Sequence, residues 1–410
     1  MSPSHAATPE RSGGVNKLPM NTYKRIQADP ARYFATDEVQ KAKDYQRPLT
    51  FARAISLALN AAFLIAVIST GAADKVADAV GSDSWVLRLI VIVAALTLAG
   101  LVIDLPISIW TTFVHERKWE FSTETPKSFI GDLVKSLVLG IIIQVLLFMA
   151  LWWLIRTTDL WWIYGWAVFF AFSVLLAFLL PIVIMPIFNK FTPLEDEELS
   201  ARLRGLAEGV GMHVSGVQVM DASKRTRKDN AFFAGLGKSR RVVVFDNLLS
   251  QPAAVIASIV AHELGHWRRR HITKGVIMGT ITSLTLFAAL KFVSTWDLAL
   301  DWAGLDGVRD PAALPLVLAV FSIVNAVISL LQAWISRAHE RQADIDALEI
   351  TDDREAFAET HRGLSTRNLI DLAPSWWSYV RASHPPPAER LRLGEVWSET
   401  EKSNAAKAER

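Results

Sequence analysis

The chain has 410 residues, of which 51% are hydrophobic and 20% charged, with 15 Trp, 20 Phe and no Cys, and its mean hydropathy is +0.26. This composition excludes disordered, collagen-like and disulfide-rich classes, and the absence of cysteine excludes thiolate nucleophiles, Cys-ligated zinc and iron–sulfur centres. Any metal must be held by His, Asp or Glu, and a formal net charge of +2 gives no reason to expect a nucleic-acid partner.

Residues 1–50 are polar and lack the apolar stretch of a secretory signal. They are expected to form a flexible arm leading to a short amphipathic segment. Apolar runs follow at Ala54 to Ala73, Leu89 to Ile103 (extending towards Val114), Ser136 to Ile155, Leu160 to Asn189, Gly275 to Leu290 and Pro311 to Ser336. About 20 residues rising 1.5 Å each cross a hydrocarbon core of roughly 30 Å, so six membrane spans are predicted. The arm carries Lys24, Arg25, Lys41, Lys43 and Arg47, whereas the loop after the first span offers Asp74, Asp78 and Asp83 against Lys75. By the positive-inside rule the arm is cytoplasmic, and alternation then puts the segment from Lys190 to Lys274 and the C-terminus on the same side. Trp152, Trp153, Trp161 and Trp162 flank a short external turn, where an interfacial aromatic belt is expected.

The expected division is an arm (1–50), four spans (51–190), a cytoplasmic α+β region (191–272), two spans (273–345) and a helical tail (346–410). In the cytoplasmic region the acidic run Glu195 to Glu198 opens a helix ending near Gly209 or Gly211. Val217 to Met220 reads as a strand, and Ala231 to Leu236 with Arg241 to Phe245 as a hairpin around Gly235 to Ser239. Ser250, with Pro252 two positions on, signals a helix running through His271.

That last helix carries His262, Glu263, Leu264, Gly265 and His266, the H-E-x-x-H pattern. Four residues make about 1.1 turns, so both imidazoles project from one face and can hold one zinc ion, while Glu263 can take a proton from a water at the metal. A third ligand must come from elsewhere in the chain, because no third His follows at the spacing of the metzincin pattern. Glu340 is the best candidate: Gln332, Ser336, Glu340 and Asp344 share a helix face, and Asp344 would accept the N–H of a ligating His. The competing readings are a solvated helix end paired with Arg337 and Arg341, and His339 as ligand, although its side chain points about 100° away.

These residues, with Leu105 and Pro106, Thr112 to Val114, Phe188 to Leu194, Asn230 to Phe232, Val242 to Leu249, and His384, Pro385 and Arg390, resemble the CAAX prenyl protease type 1 family of membrane zinc metalloproteases. The resemblance implies a mainly α, polytopic helical barrel of about six membrane helices around a water-filled chamber, with a small cytoplasmic α+β metalloprotease region. It implies one Zn2+ per chain on His262, His266 and Glu340, with Glu263 as general base. It also implies that His384 steadies the oxyanion, that Asn230, Ala231 and Phe232 form an edge strand for an extended substrate, and that Arg390 orients His384 or engages a substrate carboxylate. Asp104, at the edge of the second span, is expected to be paired structurally.

Two features depart from eukaryotic members of that family: the polar arm stands where they carry a further span, and the tail has no retrieval signal of the Lys-Asp-Glu-Leu type. With the Ala-rich, Cys-free composition, these favour a bacterial cell membrane over the endoplasmic reticulum. The expected partners are the lipid bilayer and a peptide or protein substrate, with or without a prenyl group. Rival functions are quality control of misfolded membrane proteins, as in HtpX-like relatives, and a non-catalytic membrane scaffold.

Overall fold

The computed structural model describes residues 22–235 and 240–408; residues 1–21 of the expected arm (1–50) and the hairpin tip at 236–239 lie outside the described residues. Among the described residues, six helices are long and apolar enough to cross a membrane. Helix α1 (Thr36–Thr70) opens where the Glu38 carboxylate accepts from the Ala35 N–H at 2.8 Å, and it closes on left-handed Gly71. The expected amphipathic segment and the first span are therefore one helix of 35 residues. Pro48 lies inside it without ending it, since helix-forming Lys, Gln, Ala and Leu flank it on both sides.

Helix α2 (Trp85–Ile109) continues through a π-helical turn, Trp110–His115, to Lys118, so Thr112 to Val114 are helical. The wide turn follows Pro106, which removes one intrahelical N–H. Helix α3 (Pro126–Thr157) is capped by the Thr125 hydroxyl, which accepts from Ser128 N at 3.2 Å. Helix α4 (Trp161–Leu179) runs on through a second π turn towards Phe188.

Strand β1 (Phe191–Pro193), absent from the expected elements, begins the small sheet, and α5 (Glu197–Gly209) follows with Asp196 as its N-cap. Strands β2 (Val217–Met220), β3 (Ala231–Ala234) and β4 (Arg241–Phe245) complete the order β1-β2-β4-β3, in which only β2 and β4 are parallel. One face of this sheet packs Val217, Ala231, Val242 and Val244 against Val255, Ile256 and Ile259 of α6 (Ala253–Arg268).

Helix α6 differs at both ends from expectation. Ser250 belongs to a preceding 3-10 turn, and the helix stops before His271 because Arg270 turns left-handed at φ 54°. Arg268 and Arg269 both bond Asp346, which anchors the break. Helix α7 (His271–Val293) then leaves for the membrane, and α8 (Leu314–Thr351) returns as a single rod of 38 residues. Helices α9 (Arg354–Arg367), α10 (Trp376–Arg381) and α11 (Pro387–Ala408) form the tail.

On α3, Ile130, Val134, Val138, Ile142 and Leu146 recur at every fourth residue and are each 51–59% exposed. An apolar stripe of that length is a lipid-facing surface. Trp152 and Trp161 depart from the expected belt, since both are core residues, at 0% and 6% exposed. One residue further round the helix, Trp153 is 58% exposed. Asp104 accepts from Ser56 Oγ at 2.6 Å and from Asn60 Nδ2 at 3.0 Å, both on α1. Helices α4, α7 and α8 line an apolar-walled cavity of about 590 Å³, bordered by Phe169, Phe170, Val276, Phe321 and Gln332 among others.

Candidate metal centre

The site forms where α6 crosses α8, and a glycine sets how closely they approach. A Cβ at Gly265 would lie 2.8 Å from both Cα and O of Ala343 and 3.0 Å from Cβ of Asp346. The helix backbones therefore touch at the turn between the two motif histidines, and Ala343 sits between Glu340 and Asp344 on the opposite helix. Both lie within the motif runs, but no packing role for either is legible in the sequence.

This contact brings three side chains together. His262 Nε2 lies 3.3 Å from Glu340 Oε2, His266 Nε2 lies 3.3 Å from Glu340 Oε1, and the two Nε2 atoms are 3.2 Å apart. His262, His266 and Glu340 each offer one ligand atom, all within 4.8 Å of one another. Their side chains are 12%, 23% and 7% exposed. Glu340 Oε2 is buried and makes no hydrogen bond, which leaves an anionic acceptor facing two imidazoles. A cation fits between them: two nitrogens and one carboxylate oxygen are the donor set of a catalytic zinc site with an open fourth position.

The electrostatics point the same way. Burial opposes a charged His262, but the carboxylates of Asp344 and Glu340 outweigh it and hold the ring's pKa up to about 10. The surroundings favour positive charge at this spot. His262 Nδ1 lies 2.9 Å from Asp344 Oδ1, a contact in which Asp344 accepts the ring N–H and Nε2 is turned towards Glu340. Burial raises the pKa of the Glu263 carboxyl, with the neighbouring His262 and His266 working in the opposite direction.

Arg390 is placed differently from expectation. Its Nε donates to Asp344 Oδ2 at 2.8 Å and its Nη2 to Oδ1, while Nη2 is 3.2 Å from His262 Nδ1 and 3.9 Å from Glu340. The guanidinium is committed to Asp344, so it neither orients His384 nor presents a free cation to a substrate. His384 reaches the site from the tail, with Nε2 3.4 Å from Glu340 Oε2, Nδ1 2.8 Å from Ser383 Oγ and a side chain 61% exposed. Its loop is clamped by Arg337, whose Nη1 donates to the carbonyls of Tyr379, Val380 and Ala382 at 3.0, 3.0 and 2.5 Å.

Two histidines absent from the expected site are also present. His361 on α9 is buried, 3.5 Å from Asp344 Oδ1 and edge-on to Phe357, and burial holds its pKa well below the ordinary value. His271 lies 2.9 Å from His266, nitrogen to nitrogen. A lone tail histidine gives no signal in one sequence, and His271 read as the end of a helix.

Asn230 to Phe232 sit on the open edge of the sheet, because among the described residues β3 pairs only with β4. Phe245 N donates to Asn230 O at 3.0 Å, and the alternation of an antiparallel ladder then turns the backbone groups of Ala231 and Phe233 outward. The Ala231 N–H is covered by the Asn230 side chain at 2.9 Å, and Phe233 follows two residues on.

Comparison with known proteins agrees with this architecture. Residues 20–190 match the CAAX prenyl protease N-terminal family, described by five membrane helices, and residues 193–395 match peptidase family M48. The chain is 28% identical to the uncharacterized metalloprotease YhfN of Bacillus subtilis over 91% of this chain and 89% of the relative. It is 33% identical to CAAX prenyl protease 1 of Saccharomyces cerevisiae over 73% and 70%. The crystal structure of S. mikatae Ste24p superposes with a TM-score of 0.80 at 26% identity, covering 90% of this chain and 92% of that one. With both family models matched across its membrane and soluble parts, the chain belongs to peptidase family M48, in the CAAX prenyl protease 1 group, and is an integral-membrane metalloprotease.

Proposed function

We propose that the protein is a zinc endopeptidase that cleaves CAAX-type or other membrane-associated peptides, with its site and both termini cytoplasmic. The observation that carries this reading is the convergence of His262, His266 and Glu340, with Glu340 Oε2 buried and unbonded. Bound zinc would polarise the scissile carbonyl and lower the pKa of a water to about 7. Glu263 takes the proton of the attacking water on its carboxylate and returns it to the leaving amine nitrogen. His384, exposed on its clamped loop, donates from Nε2 to the oxygen that gains charge. The substrate adds as a strand to β3 through the outward carbonyl of Ala231 and the backbone groups of Phe233, a mode that tolerates varied side chains. The basic arm and loops support the cytoplasmic orientation.

The test is purified, reconstituted protein and its Glu263→Gln variant, each given a farnesylated CAAX peptide, the same peptide without lipid, and an unfolded membrane protein. Wild-type protein is expected to hold one zinc and to cleave the lipidated peptide fastest, and the variant to keep zinc and lose about 10²- to 10⁴-fold in rate. Equal cleavage of both peptides defeats prenyl recognition, and preference for the unfolded protein favours quality control. Full zinc content in a His262→Ala variant defeats the metal assignment.

A further inference from the structure

The two motif histidines are supported on their far sides by different groups. His262 leans on a carboxylate, Asp344. His266 instead places Nδ1 2.9 Å from Nδ1 of His271, the first residue of α7. His271 is 7% exposed and stacks on His339 with centroids 4.0 Å apart and 13° between the rings. Its Nε2 lies 2.9 Å from Gln342 Oε1, and Gln342 Nε2 donates to Thr22 Oγ1 at 3.0 Å. Arg341 Nη1 holds the Thr22 carbonyl at 3.1 Å, so the start of the described chain is pinned to α8 at this point.

A hydrogen bond between two ring nitrogens needs one proton, and its placement has consequences at the other end of each ring. When the Gln342 carbonyl accepts from His271 Nε2–H, His271 Nδ1 is bare and accepts from His266 Nδ1–H. His266 then keeps a lone pair on Nε2, the atom facing Glu340 and His262. When the Gln342 amide is reversed, His271 Nδ1–H donates to His266 Nδ1. The proton of neutral His266 is then on Nε2, where it blocks ligation.

We propose that His271 is a positioning residue for the metal centre: its Nδ1 holds His266 in the tautomer that ligates through Nε2, with the Gln342 carbonyl accepting from the other ring nitrogen and Thr22 tethering the Gln342 amide. This rests on the metal reading above. It also makes residue Thr22, far from the motif in sequence, part of the support of one ligand.

Two substitutions separate hydrogen bonding from packing. His271→Phe keeps the bulk and the stack on His339 but removes the acceptor. His271→Asn loses the ring but offers a carbonyl oxygen close to the place of Nδ1. Full-length protein in detergent is titrated with zinc against a fluorescent chelator, and the visible absorption of the cobalt-substituted form is recorded. Wild-type protein binding one zinc, with loss in His262→Ala, secures the metal reading independently of His271.

Given that result, His271→Phe is expected to bind zinc about 10- to 100-fold more weakly, the range for lost support of a ligating histidine, with a shifted cobalt spectrum. His271→Asn is expected to stay within a few-fold of wild type. Wild-type affinity in His271→Phe, or losses as large in His271→Asn, overturns the proposal and leaves His271 a packing residue.

Discussion

Substituting Gly265 with alanine adds one methyl group at the seam between α6 and α8, where no flexible side chain can move aside. The new Cβ would meet Ala343 Cα and O at 2.8 Å, against an ordinary carbon contact of about 3.5–4.0 Å. The helices must separate by roughly 0.7 Å or more, or rotate by an equivalent amount. Overpacking of this kind costs about 1–3 kcal/mol. A metal site tolerates displacements of only about 0.2 Å in its ligand distances, and Glu340 moves with Ala343. If the strain falls on the ligand set, 1–3 kcal/mol corresponds to about a 5- to 150-fold loss of zinc affinity at 1.4 kcal/mol per tenfold. The assay is zinc competition against a chelator, paired with thermal unfolding of the zinc-free form to show how much strain the fold absorbs. A Gly265→Ala protein that matches wild type in affinity, stability and turnover would refute the reasoning that this glycine sets the geometry of the site.

Asp344→Asn leaves the guanidinium of Arg390 without its buried counter-charge and weakens the support of His262. A loss of about 3–5 kcal/mol is expected in denaturant unfolding, and unchanged stability would show that the pair is not structural. Phe233→Pro removes an outward N–H from the open edge of β3, where proline is tolerated; the expected result is a raised KM with zinc content unchanged, and an unaltered KM would exclude strand addition there. His361 stays neutral in the fold while the unfolded chain binds a proton below about pH 6.5. Its contribution is therefore intact above that pH and falls away by up to about 1.4 kcal/mol per unit below it. His361→Phe should flatten this acid limb in thermal unfolding between pH 7.5 and 5, and an identical slope in both proteins would exclude His361 as its source.

The spans and the H-E-x-x-H helix were legible in the sequence because each depends on neighbours in the chain: twenty apolar residues in a row, or two histidines four apart. Glu340 was legible in part, through its spacing from Asp344 on a continuous helix. The contact of Gly265 with Ala343 was not, since both residues are unremarkable until α6 and α8 cross. The end of α6 had no local signal either. Arg268, Arg269 and Arg270 are good helix formers, and the turn at Arg270 is imposed by the bonds from its two predecessors to Asp346, 78 and 77 positions away. His271 and His361 belong to the same class, because their meaning depends on which ring or carboxylate another helix brings alongside. The partner of Arg390 was hidden for a related reason: Asp344 also accepts from His262, and only the folded contact shows that its two oxygens serve both.

Helix α8 runs without interruption from its membrane segment to Glu340 and Asp344. At 1.5 Å per residue its 38 residues make a rod about 57 Å long. A rod tilts as a whole when bilayer thickness changes, and a tilt of 5° moves a point 20 Å from the pivot by about 1.7 Å. That is many times the tolerance of a metal site, so a ligand on α8 opposed by ligands on an independent helix would be detuned by every change of lipid. The tight seam at Gly265 makes α6 travel with α8, which protects the three ligands from one another's motion. The tail loop that carries His384 is clamped to the same rod by Arg337, so it travels with the pair as well. Acyl-chain length is therefore expected to tilt the whole site as one unit, so that the bilayer can change around the rod without disturbing the distances among the side chains it carries.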